Sequence, residues 1–270
     1  MRSQPVQASA TEFNPDGLDL IKAAGLERII GASLERVWEN VADWEHLPWL
    51  HHSSFSSIEL QDAAAWGWRA KLGAAGGESV VELVMDKPAS QYVARTLEGS
   101  LKGTEIWTVL TPVSDHETAI DVSFHVPSMP EDVVERLGAA LEASYQTLWD
   151  EDEAMMQARE KALSDVSVSR EPIVLGRRDE VLAKLPMALH MGGRPIRLER
   201  VDDEIVAFRA TCPHMLRPLD DCPNIDGTIT CPWHGYTFDL RTGASPQTDL
   251  RLLEDFVLED DVGVLTLTSI

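Results

Sequence analysis

With 270 residues, 44% of them hydrophobic and 25% charged, the chain is long enough for two ordinary domains and globular in composition. Its 45 acidic against 23 basic residues give a net charge of −22, which argues against nucleic acid or an anionic membrane surface as a partner. No run of about eighteen apolar residues occurs and the N-terminus lacks an apolar core, so neither a membrane span nor an export signal is expected.

After a polar lead-in that reads as loop, Ser33 is a fair N-cap for a helix over Leu34–Ala42, with Val37, Trp38 and Val41 at helical spacing. From Phe55 to Val126 the chain reads as strands parted by Gly, Pro, Asp and Ser turns. They centre on Ile58, Trp66–Leu72, Val80–Met85, Tyr92–Thr96, Glu105–Leu110 and Ile120–Val126, an antiparallel meander. Pro130-Glu131-Asp132 opens a long helix through Leu163 whose stripe of Leu137, Leu141, Tyr145, Leu148 and Met155 can pack across the sheet. The short polar stretch Ser164–Arg170 divides a first domain, residues 1–168, from a second, 169–270. In the second, Ile173–Leu175, Met187–His190, Ile196–Arg200 and Ile205–Arg209 read as strands, with turns at Gly192-Gly193 and Asp202-Asp203. The expected class is α+β, with sheet and long helix first and an all-β domain second.

In that second domain, Cys212-Pro213-His214 and Cys231-Pro232-Trp233-His234 offer two thiolates and two imidazoles from two loops. Such a set holds either a zinc ion or a two-iron cluster in which one iron takes both sulfurs and the other both nitrogens. Zinc sites usually draw two Cys from one loop and two His from another, whereas here each loop supplies one of each, which favours the cluster. With Gly235-Tyr236-Thr237-Phe238-Asp239-Leu240 and Thr242-Gly243 following, residues 172–270 resemble the Rieske [2Fe-2S] family. The resemblance implies a cluster held by Cys212, His214, Cys231 and His234. Respiratory-type members add one disulfide-bonded Cys per loop and a Ser after the last His; Met215, Trp233 and Gly235 around the ligands here leave fewer donors to the sulfurs, which implies a lower potential, and Cys222 has no obvious disulfide partner, which fits a reducing cytoplasm. Leu216, Pro218, Trp233 and Tyr236 are expected to cover the sulfurs, and the exposed edges of His214 and His234 to pass electrons.

Helix, meander and long helix together resemble the helix-grip superfamily, which includes START-like lipid binders and the catalytic domains of Rieske oxygenases and encloses a cavity. Tryptophans 38, 44, 49, 66, 68, 107 and 149 suggest an apolar lining. His46 and His51 stand five residues apart around Pro48. An unbroken helix would turn them too far apart to meet one ion, but a proline there kinks or ends the helix and can swing the rings together. The pattern Asp43-x2-His46-x4-His51 resembles the segment of Rieske oxygenase catalytic subunits that binds a mononuclear iron. It implies His46 and His51 as ligands and Asp43 as an electron-transfer bridge. The acid- and methionine-rich run at 149–158 resembles the C-terminal helix of those subunits and implies Asp152 as the carboxylate of a two-His, one-carboxylate Fe(II) site. Blander readings stand beside these: non-metal helix-grip proteins often carry an Asp and a Pro-Trp pair here, and acidic runs on helices are usually solvated. His52 is the alternative to His51; His116, His125 and His190 read as surface or core histidines.

Taken together, the resemblances imply an oxygenase that passes electrons from a [2Fe-2S] cluster to a mononuclear Fe(II) to activate O2 on an apolar, aromatic or polycyclic small molecule. The chain has no flavin, nicotinamide or plant-type ferredoxin fingerprint, so electrons must come from separate proteins; the resemblance implies NAD(P)H through a separate reductase, with or without a ferredoxin. A homo-oligomer is expected. The domain order departs from the resembled subunits, which place the Rieske domain first, so coupling of cluster and iron within or between chains stays open. The alternatives are a Rieske ferredoxin fused to a hydrophobic-ligand-binding helix-grip domain, for electron transfer or sensing, and a degenerate oxygenase-like partner subunit.

Overall fold

The computed structural model describes residues 20–164, 171–252 and 255–270. The chain divides into two compact units, Met1–Met156 and Gln157–Ile270. Most of the linker expected at Ser164–Arg170 lies outside the described residues.

The first unit runs β1 (Leu20–Ile30), α1 (Leu34–Ala42), α2 (Leu47–Leu50), β2 (Ser57–Ala64), β3 (Gly67–Ala74), β4 (Gly77–Asp86), β5 (Gln91–Glu98), β6 (Glu105–Ser114), β7 (Glu117–Pro127) and α3 (Glu131–Ser164) as far as Met156. Its seven strands make one antiparallel sheet of order β1-β7-β6-β5-β4-β3-β2. The meander expected from 55 to 126 accounts for six of them. Leu20–Ile30, expected as part of a loop-like lead-in, is instead a strand paired with β7 from Leu20↔Pro127 to Ile30↔Thr118. Its pattern is masked because Lys22-Ala23-Ala24-Gly25 dilutes the alternation, the register shifts between Lys22 and Ala24, and only Ile30 is buried.

The helix α1 forms where expected, with the Ser33 hydroxyl accepting from the Arg36 N–H at 3.4 Å. Both its ends are tied to the sheet: Thr118 donates to the Ala32 carbonyl at 2.9 Å, and the Trp68 indole donates to the Val41 carbonyl at 3.0 Å. That second bond satisfies one of the carbonyls a helix C-terminus leaves open. Along α3, Leu141, Tyr145, Trp149 and Met156 fall on one face and pack on Ile120, Val122 and Phe124 of β7 and Trp68 of β3. Tyr145 meets Phe124 edge to face, centroids 5.1 Å apart. A long helix held against an antiparallel sheet is the helix-grip arrangement the sequence resembles.

The second unit contains β8 (Ile173–Arg177), α4 (Arg178–Leu182), β9 (Met187–Met191), β10 (Arg194–Val201), β11 (Glu204–Arg209), β12 (Thr228–Thr230), β13 (Thr237–Asp239), β14 (Phe256–Asp261) and β15 (Val264–Ser269). Three small antiparallel sheets result: β11-β10-β9, β12-β13 and β14-β15-β8. Val181, Ile196, Leu198, Phe256, Leu265 and Leu267 form a core shared by the first and third of these sheets. The four expected strands correspond to β8 to β11. The β14–β15 hairpin had no clear signal because its turn, Val262-Gly263, puts a β-branched residue at φ 50° where Asn or Asp is the usual cue. The chain is thus α+β, and no helix among its described residues is long and apolar enough to cross a membrane.

The approach of α3 to β1 depends on Gly138, because a Cβ there would overlap the Ala23 carbonyl oxygen. Gly138→Ala is expected to destabilise the protein by about 1–3 kcal/mol through overpacking, outweighing its gain in helix propensity. A urea midpoint equal to or above that of the wild type would show that the helix lifts off the strand at no cost.

Candidate functional site

Asp43 ends α1, its N–H bonding back to the carbonyls of Asn40 and Glu39, and its carboxylate accepts from the Glu45 N–H at 3.2 Å. Pro48 neither kinks nor terminates α1, which has already stopped. It lies in the first turn of the separate helix α2, where the missing N–H removes no helical bond. His46 and His51 are the two caps of that single turn, which brings their rings to 5.0 Å between centroids.

Facing them is Asp152 of α3. Its Oδ1 lies 3.1 Å from His51 Nε2 and 3.5 Å from His46 Nε2, and it accepts a 2.8 Å hydrogen bond from the Asn40 amide. One ligand atom from each of His46, His51 and Asp152 lies within 4.8 Å of the other two. Donor atoms sharing one ion at bonds of about 2.1 Å sit about 3 Å apart, so the spacing fits a metal, and two imidazoles with a carboxylate are the donor set of a facial Fe(II) site. His52, the alternative ligand, is exposed, with its Nδ1 3.3 Å from the Trp49 carbonyl.

Each imidazole also has a carboxylate on its far nitrogen: Glu151 lies 2.6 Å from His51 Nδ1, and Asp43 3.5 Å from His46 Nδ1. The Glu151 hydrogen bond fixes the His51 ring and raises its basicity as a ligand, whereas Asp43 stands at ion-pair distance from His46. Burial works against charge at both ends of the His51–Asp152 pair, yet their mutual hydrogen bond wins. With His46 and Asn40 it holds Asp152 below the usual carboxylate range, while Asp152 and Glu151 lift His51 above an ordinary imidazole. Asn40 and Glu151 escaped the sequence reading. Asn40 had a signal, being a polar residue on the buried Val37/Val41 face of α1; Glu151 had none beyond lying next to Asp152.

The triad sits in the wall of a cavity of about 350 Å³ between sheet and helix. Apolar side chains, among them Val41, Phe55, Trp68, Leu83, Leu141 and Trp149, supply most of its lining. Two of the expected tryptophans therefore face this space.

In the second unit the two Cys-His loops close identically. The Cys212 N–H bonds to the Arg217 carbonyl at 2.8 Å and the Leu216 N–H to the Cys212 carbonyl at 3.0 Å; Cys231 repeats this with Tyr236 and Gly235 at 2.9 and 2.8 Å. The fifth residue of each loop, Leu216 or Gly235, is left-handed, with φ of 62° and 70°. Cys212 and Cys231 are buried and share a hydrogen bond. That bond holds Cys212 down and pushes Cys231 up, while the N–H groups of His214 and Met215 point at one sulfur and that of Trp233 at the other. The His214 and His234 rings stand 4.4 Å apart, with Tyr236 stacked on His234 at 6.0 Å. Two thiols fed by amide donors beside two imidazoles fit a cluster divided between sulfur and nitrogen ligands. Trp233 is buried as expected, whereas Pro218 is exposed and the neighbouring Leu219 is the buried residue. His214 is half-buried and His234 buried, so an accessible imidazole edge remains at His214. Cys222 is free, its thiol pushed up to about 11 by burial, which Arg217 partly offsets.

The Rieske [2Fe-2S] domain model matches residues 171–250. The chain is 37% identical over 70 residues to the anthranilate 1,2-dioxygenase ferredoxin subunit of Burkholderia cepacia, covering 26% of this chain and 65% of that one. It is 37% identical over 79 residues to ferredoxin CarAc of Metapseudomonas resinovorans, covering 27% and 73%. It is also 36% identical over 61 residues to the dicamba O-demethylase oxygenase component of Stenotrophomonas maltophilia, covering 22% of this chain and 18% of that one. Among solved structures, Zhui aromatase/cyclase from Streptomyces sp. R1128 is similar at 13% identity and TM-score 0.46, covering 52% of this chain and 96% of that one. A START superfamily protein from Mycobacterium smegmatis is similar at 18% identity and TM-score 0.41, covering 50% and 96%.

The Glu151 contact gives the triad a measurable dependence. Glu151→Ala is expected to weaken binding of a divalent ion at His46, His51 and Asp152 by about 10–100-fold, the range for lost carboxylate–histidine partners. Asp150→Ala, which removes a largely exposed neighbour turned toward Arg28, is expected to leave it unchanged. Titration of both variants with Fe(II) or Co(II) checks this, and equal affinities would remove Glu151 from the site.

Proposed function

The chain belongs, through its C-terminal domain, to the Rieske [2Fe-2S] family, and from that premise we propose that it is a Rieske-type non-haem iron oxygenase acting on an apolar aromatic or polycyclic small molecule. In this reading residues 1–168 form the catalytic helix-grip domain and 169–270 the electron-carrying domain. A bound cluster supplies single electrons, and a bound mononuclear Fe(II) supplies open coordination positions for O2 and substrate. Cys212, His214, Cys231 and His234 hold the first; His46, His51 and Asp152 hold the second. Glu151 and Asp43 fix the two imidazoles, and Asp43 is also the bridge by which electrons reach His46. Val41, Phe55, Trp68 and Leu141 keep water from the substrate beside Asp152.

The observation that carries this reading is the meeting of two imidazoles and a carboxylate, each within 4.8 Å of the others, in the wall of a mainly apolar cavity. Buried ionisable groups facing a binding cavity are costly, and a site that only holds an apolar ligand has no use for three of them. Electrons come from NAD(P)H through a separate reductase and a ferredoxin, and the enzyme works as a cytoplasmic homo-oligomer.

The two ferredoxin relatives favour a second reading, a Rieske ferredoxin fused to a helix-grip domain that binds a hydrophobic ligand without chemistry. Iron content separates the two. The oxygenase is expected to hold three irons per chain, one removable by a chelator that leaves the cluster's visible spectrum intact. Asp152→Ala is expected to lose that iron and all turnover while keeping the spectrum. Two irons per chain in the anaerobically reconstituted wild type would establish the ferredoxin fusion instead.

A further inference from the structure

We infer that the cavity is selective by charge, admitting uncharged molecules and rejecting carboxylates; this rests on the reading that the cavity holds the substrate. Among its described lining residues are Asp43, Glu78 and Asp152, and none is Lys or Arg. Five cations on the surrounding elements are held by carboxylates. Arg28 of β1 is paired with Asp150 and Glu153, Arg36 of α1 with Glu35 and Glu39, and Arg69 of β3 with Glu82. Lys71 is held 2.7 Å from Glu78, itself a lining residue, and Arg95 of β5 lies 3.2 Å from Glu105.

A ligand carboxylate entering here would lose its hydration with no lysine or arginine of the described lining to replace it, and would lie near carboxylates of the same sign. A divalent ion in the triad does not reverse the field, because Asp43, Glu151 and Asp152 together bring three negative charges around its two positive ones. What the walls do offer is hydroxyl groups, from Thr96, Ser100, Ser144 and Tyr145. Tyr145 stays protonated, since burial and the nearby Asp152 both push its phenol up. These groups suit a neutral hydroxyl, carbonyl or amide on an apolar skeleton, and discrimination against acids comes from unpaired charge rather than from a steric clash.

The test is anaerobic calorimetry on the full chain loaded with cluster and Fe(II), with 2-naphthol and 2-naphthoate as probes of one skeleton at pH 7. The expected result is 2-naphthol binding at least tenfold more tightly. Placing a cation in the helix wall with Ser144→Lys, or in the sheet wall with Thr96→Lys should the first variant fail to fold, is expected to narrow that gap at least tenfold. Equal affinities in the wild type, or tighter 2-naphthoate, would overturn the charge selectivity and leave the oxygenase reading standing. A gap unmoved by a folded lysine variant would likewise overturn it. If neither probe binds a chain whose triad holds iron, the cavity is not the substrate site, and this inference falls together with that part of the proposed function.

Discussion

A carboxylate placed in the apolar stripe of a helix sets the terms for the first unit. Asp152 follows Tyr145 by seven residues and precedes Met156 by four, so it stands on the face of α3 that packs against the sheet, with its side chain 13% exposed. Water cannot solvate it there, and a buried charge without partners costs several kcal/mol. Three groups answer that demand: the imidazoles of His46 and His51 and the amide of Asn40. All three come from the short segment holding α1 and α2, so their convergence fixes that segment against a helix more than one hundred residues later.

The neighbouring acids share the work by helical geometry. Asp150 and Glu153, three residues apart and on one side of α3, both grip Arg28 of β1. Glu153 also accepts from the Gly31 N–H at 2.7 Å, at the point where β1 gives way to α1. Glu151 and Asp152 turn the other way, to the histidines. Four consecutive acids that read as a solvated patch are therefore two clamps, one on the strand and one on the ligand-bearing turn. The same helix that closes the cavity thereby aligns the residues in its wall.

Repeating patterns were legible in the sequence and single exceptions were not. The antiparallel meander, α1 with its Ser33 cap, and α3 all announce themselves by regular spacing and cap chemistry. The two Cys-His loops are legible for another reason: their function demands fixed spacing, which leaves little room for variation. The strand β1 was missed because its pairing partner lies about a hundred residues downstream and its own residues include Ala-Ala-Gly. Asp152 could be placed only through a resemblance. An acid interrupting an apolar stripe was nevertheless visible in the spacing, as was Asn40 between Val37 and Val41. Contacts such as Glu151 with His51 depend on where α3 meets α2, which no local pattern encodes.

The cluster loops show how function tolerates local strain when the surroundings fix the backbone. The two loops have the same hydrogen-bond frame, so both need a left-handed residue at the fifth position. Glycine fills it at 235 without steric cost, whereas Leu216 holds φ 62° at a cost of about 1–2 kcal/mol. That conformation persists because the first loop is pinned from outside as well as within. Arg197 of β10 donates to the carbonyls of Leu219, Asp220 and Cys222, and Arg217 pairs with Asp221 at 2.8 Å. The second loop needs less: a glycine at the turn, and strands β12 and β13 paired on either side of it. The same backbone frame thus arises once from a permissive residue and once from a strained residue inside a rigid frame, so the hydrogen bonds around each cysteine, rather than the Cys-to-His spacing, which is C-x-H in one loop and C-x2-H in the other, are what the two loops share.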